Sequence, residues 1–498
     1  MTAAQAMTNM PTLGQWLAVC GDRPPDHMAN ITGGQLTLDS RQLMAGDVFI
    51  ALPGHQTDGR EFIASAFAAG AAAVVADSDG LVADDPRVIS VSGLRAKLPE
   101  LVKHYYRDPS AHMAVMAVTG TNGKTSIAEF TAQLLRAMGV AVGVVGTLGV
   151  RTAAEPLEVS NTTPDLVSLT RQFASWHGSG VTHVAMEASS HALAQGRLDG
   201  LSIDVAVFSN LSRDHLDYHG SEQAYAEAKL RLFRDLAPRY AIYNADDPVA
   251  QRVRHIMPEH SIGVSMIDSA ADVFVDVLAT DPLSCRLITP AGEATINSRL
   301  VGAFNGFNLA SAVMAVMRMG YSFADVALAA ESLEPVPGRL QCVPNERGLK
   351  IIVDYAHTPD ALENVLAALQ VNKEQQGTSP SIWLVFGCGG DRDSGKRALM
   401  GSVAARGADH VVLTSDNPRS EDPAAIIAGI RGGMSRAPAA CIVDRSEAIN
   451  WVIANAQDGD TIVIAGKGHE TYQEILGQRL PCSDVALVEQ ALIKVSLC

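Results

Sequence analysis

The chain is 498 residues long, 47% hydrophobic and 18% charged, with 38 Lys and Arg against 54 Asp and Glu and a net charge of −16. That is enough material for several buried cores, and the length sets a prior of roughly three domains. An acidic chain without clustered Lys and Arg argues against a nucleic-acid footprint. The absence of an apolar run near ~18 residues, or of a charged-then-apolar leader, argues against a membrane span or signal peptide. Seven scattered cysteines without a CxxC pair suggest neither a disulfide framework nor a zinc site, so a reducing cytoplasm is the expected location.

Residues 1–110 carry short strands and a strand-then-turn, "GAAAVVADSDG", consistent with a small α/β domain, and "HYYRDPSAH" (104–112) reads as a linker. From Met113 onward β-rich runs such as "AVMAVTG", "VTHVAMEAS" and "DVAVFSN" alternate with helical patterns. This is the pattern of βαβ units around a mostly parallel sheet, so the class is α/β. After "EPVPGRLQ" (334–341) a second series begins, "KIIVDYAH", "SIWLVFGCGGDRD", "DHVVLTSDNPR" and "DTIVIAGKGHE", in which each strand runs into a polar loop. Ligands collect at the carboxyl ends of strands in open α/β sheets, so the repetition points to a binding edge. The expected domains are 1–110, 111–336 and 337–498.

"AVTGTNGKTS" (117–126) carries the strongest local signal. A strand ends at Thr119, a Gly-rich turn follows, and Lys124 and Thr125 open a helix with Ile127, Phe130, Leu134 and Met138 on its apolar face. Glycines let backbone N–H groups close around phosphate oxygens, the helix N-terminus adds partial positive charge, Lys124 reaches terminal phosphates and the Thr125 hydroxyl suits Mg²⁺. The loop is a shortened variant, since the position five before Gly123 holds Val118 where the strict pattern has glycine.

Four further places in the sequence have an ordinary structural reading. Glu187 ends an apolar strand, where a carboxylate can reach a phosphate-bound magnesium or simply terminate the strand. "SNLSRDHLDYHG" (209–220) sets His215 and His219 among Asp214 and Asp217, as ligands or as hydrogen-bonded loop residues. Lys229 falls on the helical stretch "SEQAYAEAKLRLF", where a surface lysine is the default reading. In "TSDNPRSEDP" (414–423) prolines and Asx residues supply turn and cap chemistry, and Arg419 reads in isolation as a solvated charge.

Taken in order, "LDSR", "GHQTDGR", "TGTNGKTS", "NTTPD", "MEASSHAL", "HLDYHG", "NADDP", "FNGFN", "PGRL", "VDYAHTPDAL", "GCGGDRD", "DNPR" and "GKGHE" resemble the Mur ligase family, ATP-dependent enzymes that form amide bonds in the peptidoglycan precursor. The resemblance implies a three-domain architecture with a central P-loop ATPase-type parallel sheet and a C-terminal Rossmann-like domain. It implies that Gly120, Thr121, Asn122, Gly123, Lys124, Thr125 and Ser126 hold the triphosphate of ATP, with Asn305, Asn308, Arg339 and Asp354 also at the nucleotide. It sets Thr125, Glu187 and His215 toward magnesium, and recasts Lys229 as a lysine carbamylated by CO₂ into a metal-binding carboxylate. Lys124, Glu187, His215 and Lys229 form the implied catalytic set.

For a UDP-N-acetylmuramoyl-L-Ala-D-Glu substrate the resemblance points to Leu38, Ser40, His55, Gln56 and Thr57, and to Asn161, Thr162, Thr163, Ser189, Gln195 and Arg197. "DNPR" is the family signature for meso-diaminopimelate, with Arg419 on the distal carboxylate. Asp416, Asn417, Pro418, Arg392, Gly466 and Glu470 complete that pocket, Glu470 pairing with an ammonium. Diaminopimelate and lysine differ by one carboxylate, and a guanidinium left unpaired without it discriminates strongly. The sequence departs from the family pattern at Pro481, Cys482 and Ala398. The competing expectations are a lysine-adding relative, a folylpolyglutamate synthetase, and a nucleotide-regulated binding protein without ligation. Small-molecule substrates, no nucleic acid, no membrane span and a monomer complete the expectations.

Overall fold

The computed structural model describes residues 10–54, 57–81, 85–152, 161–375 and 380–496. The expected sugar-nucleotide residues His55 and Gln56 lie outside the described residues. The chain divides into two compact units, Met1–Thr119 with Met138–Val207 and Ala228–Ala241, and Gly120–Ala137 with Phe208–Glu227 and Ile242–Cys498.

The first unit holds a parallel four-stranded sheet in the order β1 (Leu36–Thr37), β2 (Val48–Ala51), β3 (Ala73–Asp77), β4 (Val88–Val91). Phe49, Ala51, Val74 and Ala76 point to one face and pack on Ala66 of the helix Ile63–Ala68, the period-2 alternation a strand imposes. The segment 104–112 is a correction to the linker expectation. His104 and Tyr105 finish the helix Leu94–Tyr105, and Pro109–His112 is a 3₁₀ turn. Tyr105 and Tyr106 are buried because their hydroxyls reach the first strand: Tyr105 donates to Gly34 O at 2.7 Å, and Tyr106 accepts from Leu36 N at 3.0 Å. Two buried aromatics anchor what polar neighbours made look like a connector.

The same unit carries β5 (Ala114–Thr119), β6 (Val142–Gly146), β7 (Gly149–Arg151), β8 (His183–Glu187) and β9 (Val205–Phe208), ordered β9-β5-β8-β6-β7. The β5, β8 and β6 strands run parallel, and β7 is antiparallel to β6. Thr119, Gly146 and Glu187 therefore lie at the same, carboxyl edge.

β10 (Tyr240–Asn244) passes from the first unit into the second, where β11 (Ser261–Ser265), β12 (Val273–Thr280), β13 (Leu283–Thr289) and β14 (Gly292–Asn297) form successive neighbours. A further six-stranded sheet runs β15 (Gln341–Val343), β16 (Lys350–Asp354), β20 (Thr461–Ala465), β17 (Ile382–Phe386), β18 (His410–Leu413), β19 (Ala440–Cys441), antiparallel only at β15. Its alternation is strict. Ile352, Leu384, Phe386, Val463 and Ala465 face helices Pro359–Gln375, Gly395–Gly407 and Pro423–Arg431, while Val353, Val385, Ile462 and Ile464 face helices Arg445–Asn455 and Asp484–Ser496. Both faces are covered, which explains why these strands read as unbroken apolar runs. The α/β expectation holds. A hairpin of β21 (Tyr472–Ile475) and β22 (Gln478–Pro481) follows β20. Among the described residues no helix is long and apolar enough to cross a membrane.

Candidate functional site

In the second unit the loop 120–126 leads into the helix Lys124–Ala137. Gly120 has φ +148°, and a Cβ there would sit 1.9 Å from Ser209 Oγ, so only glycine fits this turn. Ser209 Oγ donates to Asn122 O at 2.5 Å, Thr121 N to Asn210 O at 2.9 Å and Asn122 N to Asn210 Oδ1 at 2.9 Å. The segment after β9 is thus a scaffold for the Gly-rich turn. Lys124 Nζ lies on the loop, donating to Gly120 O at 2.9 Å and Thr121 O at 2.8 Å.

Asn308 and Asn305, on the helix Phe304–Arg318, reach the same loop. Asn308 Nδ2 donates to Asn305 Oδ1 at 2.9 Å, and a Cβ on Gly123 would meet Asn308 Oδ1 at 2.7 Å. A small cleft beside them is lined by Ser126, Phe130, Val301, Asn305, Pro335 and Arg339. Arg339 Nη2 donates to Thr125 Oγ1 at 2.9 Å and its guanidinium stacks 4.3 Å from the Tyr355 ring. Asp354, ending β16, accepts from Leu340 N and Ala356 N, both at 2.7 Å. Burial raises its pKa, partly offset by those N–H groups and by Arg339.

His215 has φ +54° and N-caps the short helix Leu216–His219. Its Nε2 is 3.3 Å from Asp214 Oδ2, His357 Nε2 is 3.7 Å from the same oxygen, and Lys396 Nζ is 3.8 Å from Asp214 Oδ1. Burial pushes the Asp214 carboxyl up, but the nearby His357, His215 and Lys396 outweigh it and hold it well below its ordinary range. His219 sits with its ring 5.2 Å from Tyr225. Arg392, half exposed, is 3.9 Å from Asp217 Oδ2. Asp217 and Arg392, expected in separate clusters, are neighbours.

In the first unit, the buried Glu187 accepts from Thr147 N at 2.8 Å through Oε1 and from Thr147 Oγ1 at 3.3 Å through Oε2. Thr163 Oγ1 donates to Glu187 O at 2.8 Å and lies 3.3 Å from Ser189 Oγ, while Thr162 Oγ1 is 3.4 Å from Thr147 Oγ1. Arg197 donates through Nη1 to Thr163 O at 2.8 Å and through Nε to Gln195 Oε1 at 2.9 Å. Thr162, Thr163, Ser189, Gln195 and Arg197 are therefore one hydrogen-bonded cluster next to Glu187. Asn161 precedes it in sequence. Lys229, on the helix Glu222–Arg234, is 1% exposed, which overturns the surface-lysine reading. In the same unit Ser40 opens a 3₁₀ turn after Leu38, and Thr57 lies in the loop that follows β2.

The third cluster lies on the loops after β18 and β20, again in the second unit. Asn417 Nδ2 donates to Glu470 Oε2 at 2.9 Å, and Asn417 Oδ1 accepts from Glu474 N at 2.9 Å and Lys467 Nζ at 3.2 Å. Lys467, completely buried, also reaches Glu470 Oε2 at 2.8 Å. Gly466 has φ +111°, and a Cβ there would be 2.5 Å from Asp416 Oδ2, so the two loops touch where glycine stands. Arg419 follows Pro418 with φ +51°. Its Nε donates to Glu474 Oε2 at 3.2 Å and Nη1 to Gly390 O at 2.7 Å. Among the described residues these are its side-chain bonds, which leaves the rest of the guanidinium fork to offer.

A family model of the Mur ligase middle domain matches residues 118–316, one of the glutamate ligase domain matches 338–468, and one of the family's catalytic domain matches 34–106. The UDP-N-acetylmuramoyl-L-alanyl-D-glutamate--2,6-diaminopimelate ligase of Pseudomonas aeruginosa is 43% identical over 465 residues, covering 92% of this chain and 94% of that protein. The chain belongs to the Mur ligase family. The ligase of the same name from Geobacillus kaustophilus is 41% identical over 470 residues, with 92% and 94% covered. A solved structure of a ligase of that name superposes on this Mur ligase with a TM-score of 0.68 at 37% identity, covering 97% of this chain and 99% of the other.

Several residues in these clusters escape sequence reasoning. Thr147 and Lys467 carry a weak signal, a hydroxyl or a cation just past an apolar strand. His357, Lys396 and Asp214 carry none as a group, because three distant segments bring them together.

Proposed function

We propose that this Mur ligase joins meso-2,6-diaminopimelate to UDP-N-acetylmuramoyl-L-Ala-D-Glu at the expense of ATP. The observation that carries the reading is Arg419: a guanidinium held from two sides in the loop after β18, with the remaining fork available for a carboxylate. A lysine substrate would leave that fork unpaired. Asp416, Asn417, Pro418, Gly466 and Glu470 line the same loops, and Arg392 is the further cation assigned to this pocket. Glu470 meets Lys467 and Asn417 through Oε2, which leaves Oε1 to face a substrate ammonium.

The γ-carboxylate of D-glutamate attacks the γ-phosphorus of ATP, giving an acyl phosphate and ADP. The amine of diaminopimelate then attacks the acyl carbon, an amide forms and phosphate leaves with the C–O bond broken and a proton released. Gly120 to Ser126 hold the phosphates with Lys124 offsetting charge on the transferred group, Asn305 and Asn308 face the base, and Arg339 and Asp354 complete the nucleotide site. Leu38, Ser40, His55, Gln56, Thr57, Asn161, Thr162, Thr163, Ser189, Gln195 and Arg197 receive the sugar nucleotide and its peptide.

Thr125, Glu187, His215 and Lys229 as its carbamate are the residues that would hold Mg²⁺, which when bound neutralises phosphate charge. Among the described residues no three His, Cys, Asp or Glu side chains gather as a cage. Magnesium takes one or two carboxylates and fills its shell with water and phosphate oxygens. The carbamate would form when the neutral Lys229 amine attacks the carbon of CO₂ and releases a proton, which turns a buried cation into a carboxylate able to hold the metal. The three functional segments are 1–110, 111–336 and 337–498, in a cytoplasmic monomer.

The test is ADP release with ATP, magnesium and the UDP-muramoyl dipeptide, adding diaminopimelate or L-lysine separately. Release with diaminopimelate alone is expected. Release with lysine alone would replace this reading by the lysine-adding one, and turnover with neither would leave a nucleotide-regulated binder.

A further inference from the structure

Arg445 and Asp484 are 1% and 0% exposed at their side chains and form a two-pronged pair, Nε to Oδ1 at 2.6 Å and Nη2 to Oδ2 at 2.7 Å. A buried guanidinium is costly unless its remaining N–H groups are also satisfied. Here two of the three remaining N–H groups are satisfied by carbonyls: Nη1 donates to Ser415 O at 3.3 Å and Nη2 to Ala465 O at 3.0 Å. Ser415 immediately precedes Asp416, and Ala465 immediately precedes Gly466. The two carbonyls lie at the carboxyl ends of β18 and β20, which are not neighbours, since β17 stands between them. Both strands pair with β17, but no ladder hydrogen bond between the two can directly set the distance between the loops beyond their ends. A rigid planar fork, itself fixed by Asp484 at the start of the last helix, can.

We propose that Arg445, locked by Asp484, is a positioning residue for amino-acid binding: it fixes the spacing of the Asp416–Arg419 loop against the Gly466–Glu470 loop. The inference rests on the proposed diaminopimelate pocket for its kinetic consequence, and on geometry alone for its structural one. The contact of Asp416 with Gly466 and the hydrogen bond between Asn417 and Glu470 both cross this gap. A shift of about an ångström would misalign both ends of the amino acid, which is worth ~100-fold in other active sites.

A single substitution of either partner strands a buried charge and risks unfolding. The informative protein is the double variant Arg445→Met with Asp484→Leu, since apolar replacement of a buried pair is commonly neutral or stabilising. Arg445→Lys, which keeps the charge but not the fork, is the second variant. Steady-state KM is measured for diaminopimelate and for ATP, together with backbone hydrogen exchange over 414–419 and 466–470, with 120–126 as internal control. Positioning predicts that both variants raise KM for diaminopimelate by about tenfold or more, leave KM for ATP within about twofold, and speed exchange only in the two pocket loops. Unchanged exchange in those loops, or equal changes in both KM values with a lowered Tm, overturns the proposal and leaves the pair as ordinary core. Faster exchange in a protein whose wild type shows no diaminopimelate-dependent turnover upholds the positioning role and instead refutes the proposed substrate.

Discussion

Replacing Arg419 by glycine separates a turn residue from a substrate-binding one. Arg419 occupies φ +51°, a conformation that costs a side-chain-bearing residue about 1 kcal/mol and glycine almost nothing. Against this gain stands the loss of its ion pair with Glu474, whose side chains are 23% and 32% exposed, worth about 0.5 kcal/mol at such a site, and of the Nη1 bond to Gly390 O, worth about 1 kcal/mol. Both backbone bonds, Arg419 N to Glu474 O and Leu476 N to Arg419 O, survive. Stability should therefore change by less than about 1 kcal/mol in either direction, which denaturant unfolding measures. Activity should not survive. Two charge-assisted hydrogen bonds to a carboxylate are worth ~1.5–3 kcal/mol each, so kcat/KM for diaminopimelate should fall roughly a hundredfold or more. A variant that unfolds easily, or one that turns over diaminopimelate normally, would refute the assignment of this residue.

Gly120→Ala should abolish ATP binding by calorimetry and cost about 2 kcal/mol or more in stability, because its Cβ meets Ser209 Oγ at 1.9 Å in a backbone conformation that disfavours side chains. Glu187→Gln keeps an acceptor for the Thr147 N–H, so Tm should hold within a few degrees, while ADP release should drop about a hundredfold or more with the lost charge. The pKa of His183 on β8 is lowered by burial, with Asp204 opposing. The unfolded chain therefore binds the proton more readily, and this contribution to stability is complete above the ordinary histidine range, near ~6.5, and is lost as pH falls below it. Tm followed from pH 7.5 to 5.5, on the order of the range where histidines titrate, should fall less steeply in His183→Gln than in the parent.

The parts of the site that were legible in the sequence are those written in one segment. The Gly-rich turn, the strand-end Glu187 and the polar loops after β16, β17, β18 and β20 follow from local chemistry and from a strand period that needs no tertiary knowledge. The tyrosines at 105 and 106 misled for the opposite reason. They lie among polar neighbours, and their partners, Gly34, Gln35 and Leu36, are some 70 residues away along the chain. Lys229 shows the same limit, because a helix pattern says which face is apolar and not that a charged residue is sealed inside it. Arg445 and Asp484 were invisible as a pair, 39 positions apart, since nothing local marks an arginine as core.

The left-handed Arg419 is stitched by its backbone to the β21–β22 hairpin, through a parallel bridge to Ile475 and the two hydrogen bonds either side of it. Side chains along a strand alternate, so a slip of β21 by one residue would exchange Glu474 for Gln473 or Ile475 beside the guanidinium. The hairpin's tip is open to solvent at Leu476, whose residue is 76% exposed while its N–H holds the Arg419 carbonyl. Where the Arg419 guanidinium sits is thus set in part by a surface ribbon that lies outside the four residues "DNPR".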